Sequence, residues 1–151
     1  MPRFLVCLTA LLLAAPIAAR AETATLELQL VENMTGPVVV NFFGEKSPGS
    51  CKAKRRIASI SHGNPFVRTK GNEGFPVPAG TEYRLFVSLV PPGVANTCQF
   101  VGAFTPDAGG HYVLTAVFDL QPDRKYNCGL VLEKKSGDTA EPATLQVAPC
   151  R

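Results

Sequence analysis

Tryptophan is absent from the 151 residues, and histidine and methionine occur only twice each. With His62 and His111 far apart, there is no H-x-H and no H-E-x-x-H, the spacings that carry histidine-rich metal centres. No C-x-x-C pair exists either, which argues against a structural zinc site. A nucleophile elbow G-x-S-x-G is missing, and so is a glycine-rich phosphate loop opening a helix. A serine-histidine-aspartate set can be imagined from Ser61, His62 and Asp107, but no motif supports it. Twelve acids leave paired-carboxylate hydrolysis open, but the chemistry-bearing motifs of most enzyme classes are not here. Cofactors are not expected.

Long apolar runs are also missing after the first 21 residues. Those residues, MPRFLVCLTALLLAAPIAARA, carry an early cation, an apolar stretch and Ala19-Arg20-Ala21. These are the three parts of a secretory signal peptide, shorter than a membrane span of about 20 apolar residues. The expectation is a removed segment 1–21, with Cys7 inside it, and a single mature domain 22–151. The alanine-rich signal has a bacterial look. It points to a periplasmic or secreted protein without a transmembrane anchor.

Four cysteines then remain, Cys51, Cys98, Cys128 and Cys150. An even count in an exported chain implies two disulfides. Three pairings are possible. Cys128 and Cys150 flank the turn signal KKSGDTA, so the preferred pairing is Cys128–Cys150 with Cys51–Cys98, short loops being easiest to close.

What the chain does have is alternation. TLELQLVE (25–32) puts Leu26, Leu28 and Leu30 on one face. EYRLFVSL (82–89) does the same with Tyr83, Leu85, Val87 and Leu89, and HYVLTAVFD (111–119) with Tyr112, Leu114, Ala116 and Phe118. Period two is the mark of a half-buried strand. His111 and Thr115 fall on the solvent side. Shorter strand candidates are 37–43, 98–104, 127–133 and 143–147. Glycine-, proline- and aspartate-rich turns separate them, and KAKRRIASI (52–60) is the sole helix candidate. The fold class expected is all-β, one sandwich of about seven short strands. AGTEYRL (79–85) and AGGHYVL (108–114) share A-G-x-x-Y-x-L, a glycine turn leading into a strand whose tyrosine opens the buried face.

Tyr126-Asn127-Cys128, with Asp123 upstream, resembles the corner that precedes the second core cysteine of immunoglobulin domains. That resemblance implies an immunoglobulin-like sandwich and an alternative Cys51–Cys128 bond, although the tryptophan of that family is lacking. FTPDAGGHY (104–112), followed by Cys128, is similar to small exported bacterial β-proteins, immunoglobulin-like or transthyretin-like, of uncharacterised role.

Charge is the last one-sided feature. Between Lys46 and Lys70 there are seven cations and no acid, whereas the rest of the mature chain has six cations and twelve acids. Such polarity can steer an acidic partner, and a near-neutral total argues against nucleic acid. Lys52, Lys54, Arg55 and Arg56, beside Cys51, form the candidate binding patch, read as a loop. The bland alternative is a solvated loop whose charge keeps an exposed edge from pairing with other chains. The function expected is an exported, non-enzymatic binding module, recognising an acidic envelope component or acidic protein. An inhibitor or immunity protein blocking a partner enzyme is the alternative, and a small hydrolase comes third.

Overall fold

The structure, a computed structural model, describes residues 22–33, 37–45, 54–63, 73–90, 98–121 and 126–147. Segment 1–21, Cys51, Lys52 and Cys150 lie outside the described residues.

Ten strands are present among the described residues, and no helix. They are β1 (Thr23–Glu32), β2 (Val38–Glu45), β3 (Lys54–His62), β4 (Phe75–Pro78), β5 (Tyr83–Val90), β6 (Cys98–Phe104), β7 (His111–Leu120), β8 (Tyr126–Ser136), β9 (Thr139–Pro142) and β10 (Gln146–Val147). One sheet has the order β4-β1-β7-β8-β9, the other β10-β6-β5-β2-β3. All neighbours are antiparallel except β1 and β7, which run parallel from Thr25↔His111 to Glu32↔Phe118.

The alternating apolar positions explain how the sheets face each other. Leu26 and Leu28 of β1, Val40 and Phe42 of β2, Leu85 and Leu89 of β5, and Leu114 and Phe118 of β7 are all at most 1% exposed and share one core. Every expected inward position of 83–89 and 111–119 is buried or packed on that core. Burying a leucine or phenylalanine side chain stabilises by about 1.5–3 kcal/mol, so this shared face holds the two layers together. The opposite parity is less simple. Thr115 is 9% exposed, not solvated as expected, and Val113 is 2% exposed. Strand β7 is the middle of its sheet, so Gln29 of β1 and Val131 of β8 flank Thr115 in register and cover it.

Three expectations need correction. The helix candidate is strand β3. Its Ile57 and Ile60, three apart, look like one helical face. In fact a register shift at Phe42/Phe43 inserts Ile57 as an extra residue of β3, so Ile57 joins Ala58 and Ile60 against the core. Seven strands become ten, because β3, β4 and β9 gave no alternating signal of useful length. Segment 143–147 is mostly a crossover: Ala143 N–H donates to the Leu132 carbonyl at 2.8 Å, and only Gln146 and Val147 then pair, with β6 of the other sheet.

That crossover also decides the cystine. Cys98 of β6 is bonded to Cys128 of β8, with a Cα–Cα distance of 6.4 Å and a separation of 30 residues. The bond links one sheet to the other. Neither the preferred pairing, Cys51–Cys98 with Cys128–Cys150, nor the immunoglobulin-type Cys51–Cys128 is formed. The β8–β9 hairpin does turn at Gly137 and Asp138, in the register Glu133↔Pro142, but its second strand stops at Pro142 and the chain leaves for the opposite sheet. The hairpin pairing therefore ends at Glu133 and does not continue along β8 toward Cys128.

Both A-G-x-x-Y-x-L turns behave as expected. Gly80 and Gly109 adopt φ of 72° and 69°. Gly80 N–H donates to the Pro106 carbonyl at 2.8 Å and Gly109 N–H to the Thr23 carbonyl at 2.9 Å. The two strand entries are thus tied together at one end of the sandwich.

Candidate functional site: a basic strand edge

Strand β3 is the last strand of its sheet, and among the described residues it pairs only with β2. Three of the four cations singled out in the sequence stand at its start. Lys54, Arg55 and Arg56 are therefore on a strand and not in a loop, as the sequence reading had them. Arg55 and Arg56 are exposed. Consecutive strand residues point to opposite faces, so the two guanidiniums leave on either side of the edge. Arg56 lies opposite Phe43 of β2, which in turn lies opposite Phe86 of β5. Arg55 is close enough to the Tyr83 phenol to act on it electrostatically.

Folding also brings acids that the linear run lacks. Glu45 is the register partner of Lys54, and its side chain is 3% exposed. Arg84 Nε lies 3.7 Å from Glu45 Oε1 and 2.8 Å from Glu82 Oε1. Burial pushes the Tyr83 phenol above its ordinary pKa, with Glu45 adding to the shift and Arg55 opposing it. At the far end of β3, His62 Nδ1 lies 2.5 Å from Glu32 Oε1 of β1, joining the sheets there. Among the described residues no carboxylate lies within ion-pair distance of Arg55 or Arg56. The patch is a rim along an edge, not a flat basic face.

A second feature is a cleft of about 450 Å³ at the opposite side, where β9 crosses to β10. Glu82, Asp107, Lys134 and Glu141 are among its lining residues, with Phe104 and Tyr112 at its base. Asp107, although its side chain is largely exposed, is held there through Oδ2 and its main-chain N–H. The Tyr112 hydroxyl donates to Asp107 Oδ2 at 3.1 Å and accepts the Asp107 N–H at 3.0 Å. Lys134 Nζ donates to the same Oδ2 at 2.6 Å. Those donors, Lys134 first and Tyr112 second, hold the Asp107 carboxyl below the usual aspartate pKa, and Asp107 in turn raises that of Lys134. A general acid needs the opposite shift.

On the outer face of the other sheet, Glu27 joins three strands. His111 Nε2 lies 2.8 Å from Glu27 Oε1, and Lys135 Nζ donates to Glu27 Oε2 at 3.1 Å. Hydrogen bonding from Lys135, chiefly, lowers the Glu27 pKa against a desolvation that raises it. Sequence reading put His111 on the solvent side and had no signal for this cluster, since Glu27 and Lys135 are distant in the chain. The Ser61, His62 and Asp107 set is not assembled. His62 sits by the C-terminal end of β1 and Asp107 by its N-terminal end, the length of a ten-residue strand away, roughly 30 Å. No three His, Cys, Asp or Glu side chains cluster as a metal site requires among the described residues. No helix among them is long and apolar enough to cross a membrane.

No protein-family model matches the chain, and no curated protein or solved structure is significantly similar to it.

Proposed function

We propose that this chain is an exported, non-enzymatic binding module. It recognises an acidic component of the cell envelope, or an acidic protein, through the cations of β3. The observation that carries the reading is the pair Arg55 and Arg56. Both are exposed on a sheet edge, and neither is neutralised by a carboxylate among the described residues. Such cations supply on-rate and modest affinity to an anionic partner. Lys52 and Lys54 extend the same run. Export through the 1–21 segment, into a periplasm or beyond, is supported by the Cys98–Cys128 bond, since cystines persist in oxidising compartments. The even cysteine count supports a second disulfide as part of the same reading, with Cys51 and Cys150, outside the described residues, as the two cysteines left over. The inter-sheet cystine also supports an immunoglobulin-like type of sandwich.

The test is a pull-down of the mature protein from envelope extract, against a variant with Lys52, Lys54, Arg55 and Arg56 all replaced by Gln. An anionic component held by the parent in low salt, and lost both in the variant and in 1 M salt, supports the reading. Equal recovery by both proteins overturns it.

The carboxylate-lined cleft favours a small hydrolase as the second reading. Its weakness is Asp107, which is held ionised by Lys134 and Tyr112 when one acid of the pair must keep its proton.

A further inference from the structure

We infer that the β3 edge takes an acidic, extended segment of another protein as an added strand. This rests on the binding reading above and names its partner. An edge strand presents a row of main-chain N–H and C=O groups, and strand addition uses them for affinity while side chains set specificity. Among the described residues β3 is nine residues long and paired on one side only, by β2. That length matches an incoming strand of ordinary size.

The sequence of the edge chooses the occupant. KRRIASISH contains three cations at its start and no acid. A second copy of the chain does not satisfy them. Antiparallel pairing about Ala58 sets Arg56 opposite Ile60, and parallel pairing in register sets arginine beside arginine. Like charges directly opposite are destabilising. An acidic strand relieves them. Carboxylates two apart on the incoming strand meet positions 54 and 56, which share one parity, and a carboxylate between them meets Arg55 on the other face. Ala58 and Ile60 point into the core and Ser59 and Ser61 are small, so between Ala58 and Ser61 the edge offers main chain rather than large side chains. The same cations that keep β3 from pairing with itself select for the acidic strand.

The experiment uses the mature protein with three probes. One is a synthetic ten-residue peptide alternating Glu with Val and Thr. The second is the same peptide N-methylated at alternate amides, and the third is polyglutamate. Binding is read by fluorescence anisotropy in low salt, and β3 by amide hydrogen exchange. The expected result has three parts. The free peptide binds at least tenfold tighter than the methylated one, alternate amides between positions 54 and 62 gain protection, and Arg55→Gln/Arg56→Gln weakens binding at least tenfold. Equal binding of all three probes, with β3 exchange unchanged, overturns strand addition but leaves the anionic-partner reading standing. No binding of any probe overturns both. Self-association through β3, seen as dimers that the peptide dissociates, overturns the choice of partner.

Discussion

Tyr112 shows how much of this fold's local order hangs on single hydroxyls and glycines. Its ring is 3% exposed and packs against Phe104, with ring centroids 5.2 Å apart, while its hydroxyl holds both the main chain and the side chain of Asp107. Tyr112→Phe keeps the packing and removes both bonds, so chemical denaturation should show a loss of about 1–2 kcal/mol. Asp107 itself should titrate below an ordinary aspartate, and in Lys134→Gln its NMR titration should move back up. Because its folded pKa is depressed, the ion pair contributes at neutral pH and fades as pH falls through that depressed value. Lys134 has a raised pKa, so its share fades only as pH rises through the raised value. Gly109 has φ of 69° and open space where a Cβ would stand. Gly109→Ala should therefore destabilise through backbone strain alone, by about 1–2 kcal/mol, with Asn tolerated better. Leu114→Ala, in the core, should cost about 2–5 kcal/mol, a far larger drop in the urea midpoint than any of the exposed cations gives.

At the scale of strands and connections, the Cys98–Cys128 bond is the element most open to test. Peptide mapping of the oxidised protein should recover these two cysteines in one linked fragment. Replacing both by Ser should cost about 3.6 kcal/mol, the loop-closure value for a separation of 30 residues. The long strands were legible because TLELQLVE, EYRLFVSL and HYVLTAVFD alternate cleanly, and the glycine turns at Gly80 and Gly109 were legible from the shared A-G-x-x-Y-x-L pattern. Strand β3 was not, because its bulge breaks the period of two and leaves Ile57 and Ile60 at helical spacing. The cystine was not legible either. Which sheet each end of the β9–β10 crossover joins is a tertiary fact, and sequence proximity of Cys128 to Cys150 carries no information about it. Of the candidate patch, residue identity and charge were readable, but the placement of Lys54, Arg55 and Arg56 on a sheet edge was not, nor was the nearness of Glu45.

In the molecule as a whole, stability and the proposed binding reside in different parts. A shared apolar core and an inter-sheet cystine hold two sheets together, and the binding proposed above is assigned to the cations at the rim of one sheet. The two should separate cleanly by mutation, since exposed charges away from any ion pair change stability by no more than about 0.5 kcal/mol. The most direct measurement is binding of the mature protein to polyglutamate at 0.05 M and 1 M salt, for the parent and for Arg55→Gln/Arg56→Gln, with the urea midpoint of each recorded alongside. The account predicts binding by the parent in low salt, its loss in high salt as the Debye length shrinks to about 3 Å, and its loss in the variant at an unchanged urea midpoint. Binding by the variant equal to that of the parent would contradict it.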